Sequence, residues 1–96
     1  MITHVVLVKL KNQDTQNIES TYALLRALNG KVPSVRHLEV GKDVSRSARS
    51  YDIALIAKFD DLSGLQAYLS HPNHVPVSNK LKELAENIVT VDYESG

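Results

Sequence analysis

At 96 residues the chain is expected to form one domain with one core, and with no cysteine it has neither disulfides nor thiolate-held metal to stabilise it. Eleven Lys and Arg balance eleven Asp and Glu, so there is no formal net charge and no basic stripe for nucleic acid or anionic lipid. No apolar run is long enough to span a bilayer, and the start lacks the basic and small-residue signals of a secretory leader, so a soluble, cytoplasmic protein is expected.

The first predicted element is a strand over Ile2 to Leu10, rich in β-branched residues. Asn12 to Gln16 is a polar break in which Asp14 suits a helix N-cap. Ile18, Tyr22, Leu25 and Leu28 then recur at helical spacing, with Tyr22 read as core. Gly30 and Pro33 stop that helix near Asn29, because glycine accepts the left-handed cap and proline cannot continue the turn. A second strand is predicted over Val35 to Lys42 and a third, apolar almost throughout, over Tyr51 to Phe59. The connection between them, Asp43 to Ser50, is polar and carries Arg46 and Arg49. It reads either as a solvated hairpin tip or as a lid that contacts an anion. Asp61 caps a short helix bearing Leu62, Leu65 and Leu69, which Pro72 breaks. A further helix carries Val77, Leu81 and Leu84, and Asn87 to Tyr93 closes the chain as a last strand.

This order, β-α-β-β-α-β with an extra helical turn, predicts an α+β fold of the ferredoxin-like kind. The sheet is largely antiparallel, the first and third strands are central, and all helices lie on one face. A sheet wetted on its other face should alternate apolar and polar residues, and these strands do not. Val5 and Leu7 leave one side of the pleat while Val6, Val8 and Leu10 leave the other. Ala54 and Ile56 stand opposite Ile53, Leu55 and Ala57, and Val89 and Val91 stand opposite Ile88. Helices cover one face only, so the other predicts an apolar patch that a second copy of the chain would cover, giving a homodimer with a barrel-like interior. The side of the first strand that carries His4, Val6 and Val8 is assigned to this dimer-facing interior.

The residues able to carry chemistry are few. His4 lies among the assigned interior side chains and needs a polar partner there. His71 and His74 lie in the segment SHPNH, where Pro72 fixes a turn and holds the two rings near each other. Asp92, on the parity of Ile88 and Thr90, is placed to reach a histidine of that turn. One reading makes His74, with a carboxylate behind it, a general base near neutral pH, and gives Tyr68 the role of hydroxyl donor to a developing enolate. The other makes SHPNH a helix break whose histidines cap helix ends and makes His4 a satisfied core residue. Pro72 interrupts the helical pairing that metal ligation by His71 and His74 would need, and no glycine-rich phosphate loop or nucleophile motif is present, so neither metal nor cofactor is expected.

HVVLVKLK (His4 to Lys11), GKDVS (Gly41 to Ser45), Tyr51 to His74 with its terminal HPNH, and the closing VDY (Val91 to Tyr93) together resemble the stress-responsive dimeric α/β-barrel domain family. The resemblance spans nearly the whole chain. It implies a ferredoxin-like homodimer with a central barrel. The apolar dimer-facing positions and the few polar groups converging near them predict that this interior takes a small apolar or carbonyl ligand, lined by His4, Val6, Ile53, Leu55, Tyr68, His71 and His74. In the olivetolic acid cyclase branch of that family, which closes a polyketide by cofactor-free aldol condensation, the matching positions imply His74 as base, Asp92 as its orienter and Tyr68 as donor, with His4 beside them. That branch has a further histidine on the third strand where this chain has Ile53, which makes the present site more apolar.

Overall fold

In the computed structural model, which describes all 96 residues, the β-branched opening forms β1 (Ile2–Leu10), and Asp14 caps α1 (Thr15–Arg26) by accepting the Asn17 amide at 2.8 Å. The helix gives way to turns after Ala27, and Gly30 takes the left-handed conformation at φ 78°. β2 (His37–Lys42) and β3 (Ile53–Phe59) follow. β2 starts two residues later than expected because the Val35 amide closes a turn onto the Val32 carbonyl, and Val35 packs against the core without joining the sheet. Asp61 caps α2 (Leu62–Leu69) through the Gly64 amide at 2.9 Å. After the Pro72 turn, α3 (Val75–Leu84) runs without a loop into β4 (Ala85–Glu94).

The four strands form one sheet in the order β2-β3-β1-β4, antiparallel throughout, with β1 and β3 adjacent at its centre. Opposite positions share a face of the pleat. His4 pairs with Ala57 on one side and Asp92 on the other, and Val6 pairs with Leu55 and Thr90. These positions, with Val8, Leu10, Ile53 and Phe59, make the floor on which Leu25, Leu65, Tyr68 and Leu81 of the three helices pack.

This corrects the assignment of faces. The side of β1 bearing His4, Val6 and Val8 is covered by the chain's own helices, and the side left open carries Val5, Leu7, Ala54, Ile56, Val89, Val91 and Tyr93. On the open face Val89, Val91 and Tyr93 are 41%, 55% and 49% exposed. Both faces of these strands are apolar, so the pattern alone does not say which one the helices take.

Candidate functional site

The helix–sheet interface does not close completely. Between the floor and the wall formed by α2 and α3 lies a cavity of about 410 Å³, within the range that holds small molecules. Its lining is mostly aliphatic, including Val6, Leu55, Leu69, Leu81 and Ile88, with His4, Tyr68 and His74 as polar groups inside it.

Each of those three is placed by a different element. The pleat of β1 points His4 at the helices, where its Nδ1 is hydrogen-bonded to the Asp92 carboxylate from the directly opposite position on β4. Tyr68, in the last turn of α2, is 1% exposed and packs its ring against Phe59 at 5.2 Å between centroids. His74 ends the SHPNH turn, and its Nδ1 lies 3.2 Å from the Leu69 carbonyl, which can only accept, so Nδ1 carries the proton. The Tyr68 ring neighbours both imidazoles, with centroids 6.0 Å from His4 and 4.2 Å from His74.

The electrostatics give the three groups separate characters. The Tyr68 hydroxyl makes no hydrogen bond within the chain, and because no fully buried side-chain oxygen lacks a partner, it opens onto the cavity. Burial pushes its pKa up to about 12, so at neutral pH it is a donor and not a base. Burial pulls His74 below its ordinary value of 6.5. The Leu69 carbonyl opposes this, while the charges of His4, His71 and Lys82 add to it. A neutral His74 with Nδ1 protonated keeps Nε2 as a free lone pair. His4 held by Asp92 presents the same arrangement, an imidazole fixed through one nitrogen with the other unpartnered in the protein.

Several sequence expectations are redrawn. Asp92 does not stand behind His74: its strand position places it beside His4, which it orients instead. The cavity lies under each chain's own helices and not within a barrel between two copies, because His4 and Val6 face that way. Ile53 is packed in the core outside the cavity lining, since β3 carries it past the end of the opening. His71 is also outside. Its Nδ1 accepts the Asn73 amide at 3.0 Å and its carbonyl receives the amides of His74 and Val75, so it builds the turn. Asn73 anchors that turn to the Lys31 carbonyl at 2.9 Å. SHPNH therefore divides, with His71 and Asn73 as turn hardware and only His74 in the cavity.

Arg46 is equally committed. Its guanidinium is 2.8 Å from Asp52, which is fully buried and also accepts the Leu10 amide and the Gln13 side chain. Arg46 has φ 51°, and its own amide donates to Asp43 at 2.7 Å, so the arginine is tied at both backbone and side chain. Sequence reasoning missed the lining residues Ser78 and Lys82, although their spacing of four and eight from His74 was available as a signal. No three His, Asp or Glu side chains are grouped so as to hold a metal ion.

Comparison with known proteins identifies the fold and the family. An uncharacterized protein of Streptomyces coelicolor is 32% identical over 98% of this chain and 99% of its own length. Olivetolic acid cyclase of Cannabis sativa is 23% identical over 96% of this chain and 94% of its own. A dimeric protein of unknown function and ferredoxin-like fold from Bacteroides fragilis superposes with a TM-score of 0.83 at 31% identity, covering 98% of this chain and 95% of that one. The model of the Stress responsive A/B Barrel Domain matches residues 2–95, and the chain belongs to that family.

Proposed function

We propose that the protein is a homodimer, joined through the open sheet face, in which each protomer receives a small, mostly apolar ligand in its own helix–sheet cavity. The observation that carries the ligand reading is an unpartnered phenol beside two imidazoles in a cavity whose remaining lining is largely aliphatic. A cavity meant only to be filled by packing has no use for three convergent polar groups, whereas a carbonyl compound meets a phenol donor and the neutral His74 imidazole there. The dimer reading draws support from the exposed apolar strip on β4 and from the dimeric solved structure at 31% identity.

A second reading, cofactor-free lyase or cyclase chemistry on a β-keto compound, is favoured by the state of the same groups. His74, kept neutral by burial, removes an α-proton through Nε2, and the Tyr68 hydroxyl donates to the enolate oxygen that forms. His4, held by Asp92, stands within 6.0 Å of the same phenol ring. The full-length likeness to olivetolic acid cyclase supports this reading.

Solvent-deuterium incorporation at the α-carbon of a panel of β-diketones and β-keto esters tests it. His74→Ala is expected to slow exchange by roughly 10²-fold or more, as for loss of a positioned base. Unchanged exchange in both His74→Ala and His4→Ala would remove the enzymatic reading. Absence of any binding by the panel to the folded protein would remove the ligand reading as well.

A further inference from the structure

We infer that Lys82 makes the cavity selective for ligands with a carboxylate at one end, the charge resting at the mouth and the apolar remainder lying inside. The inference rests on the ligand-binding reading above and adds the class of ligand to it. His74 at the N-cap of α3, then Ser78 and Lys82, follow one another at intervals of four residues, so they form a single stripe along the helix, and all three line the cavity. Their Cα atoms span about 12 Å along the helix axis. At the inner end His74 meets Tyr68, which is buried, whereas Lys82 is exposed at the rim. The stripe thus runs from the imidazole–phenol pair at depth to a cation in water.

Lys82 is also uncommitted. Its ammonium has no carboxylate within 4.0 Å, unlike those of Lys9, Lys42 and Lys80; Lys11, Lys31 and Lys58 are also unpaired, but of these four only Lys82 lines the cavity. Glu86 is the one acid on the cavity lining, and it lies 4.0 Å from Lys9. A ligand carboxylate at the rim therefore meets a cation with no internal competitor, and because that cation stays solvated, its charge adds no burial cost to the empty site. The field of Lys82 already reaches the site, since it is one of the charges that help keep His74 neutral.

The competing role for Lys82 is purely structural: it sits in the last turn of α3, where a cation complements the helix dipole. That role changes stability and leaves ligand preference alone, so the two are separable. Octanoate and 1-octanol, equal in chain length and differing in the terminal group, are titrated onto the wild type, Lys82→Gln and Lys82→Arg, with the His74 ring resonances as reporter. At a pH of about 7.5 octanoate is ionised. The wild type is expected to prefer octanoate by roughly two- to fivefold, the scale of an ion pair at a solvent-exposed site. Lys82→Gln is expected to abolish the preference, and Lys82→Arg to retain it. An equal preference in the wild type and Lys82→Gln overturns the assignment. Binding of 1-octanol with no preference in the wild type overturns it while leaving the ligand-binding cavity standing, and no binding of either probe removes both.

Discussion

Tyr68 joins the packing of the molecule to its candidate chemistry, since its ring fills the space between Phe59 and the two imidazoles while its hydroxyl reaches the cavity. Because the hydroxyl has no partner in the chain, Tyr68→Phe keeps the packing and deletes one donor. Its expected effect is a thermal midpoint close to wild type, with α-proton exchange slowed roughly 10²-fold, the scale of losing one enolate-stabilising donor. A midpoint that falls sharply would instead make the hydroxyl structural. His74 gives a second prediction at this scale. Its folded pKa lies below the 6.5 of the unfolded chain, so above 6.5 both states hold it neutral and its contribution to stability is constant. As pH falls below 6.5 the unfolded chain takes up the proton first, and that contribution is lost until the folded pKa is passed. Urea midpoints measured between pH of about 7.5 and 5 should therefore fall less steeply for His74→Gln than for the wild type. Equal slopes would contradict the desolvated placement of the ring.

At the scale of elements, the long hairpin connection between β2 and β3 is held by one buried carboxylate. Asp52 accepts the Leu10 amide at 2.8 Å, the Gln13 side chain at 3.2 Å and the Arg46 guanidinium at 2.8 Å, tying the end of β1 and the loop to the start of β3. Asp52→Ala strands the buried Leu10 amide and removes the buried partner of the Arg46 guanidinium, with an expected loss of about 2–3 kcal/mol in urea unfolding. Faster amide exchange across residues 43–52 should accompany it. A change under about 0.5 kcal/mol would show the network to be incidental. None of this was readable in the sequence, where Asp52 looks like one polar residue at the edge of an apolar strand. What was readable is what local chemistry fixes: Asp14 and Asp61 as caps, the apolar run of β1, and the break at Pro72. The site was legible only by composition. His4, Tyr68 and His74 stood out as candidates, but the pairing of His4 with Asp92 depends on the register between β1 and β4, which are the first and last strands and share no short turn to set it. The same gap misplaced the cavity, because strand parity separates two faces without naming which one the helices cover.

At the scale of the whole molecule, the apolarity of the second sheet face has to be explained once the helices have taken the first. Val89, Val91 and Tyr93 lie in a row on β4 beside Val5 and Leu7 of β1, an edge and a centre strand contributing to one surface. Isolated exposed hydrophobes are normal, but side chains that share one pleat face form a continuous patch of the kind that marks an interface. A two-fold axis through this face would bury the strip against its own copy and leave both helix-covered cavities open on the outside, so the proposed dimer and the proposed ligand would not compete. The chain is therefore expected to sediment at about twice its 10.6 kDa at micromolar concentration. Its apparent unfolding free energy should drop by about 1.4 kcal/mol for each tenfold dilution, because unfolding also dissociates the pair. Val91→Glu places a charge in the middle of the strip without touching the helix side, so it should yield protomers of lower thermal midpoint whose cavity still binds whatever the wild type binds. A wild type that remains a folded protomer at micromolar concentration, with a concentration-independent midpoint, would mean that the strip is tolerated by water. A dissociated Val91→Glu variant that no longer binds ligand would mean instead that the covered face holds the helix–sheet cavity in shape, coupling the two surfaces through β1 and β4.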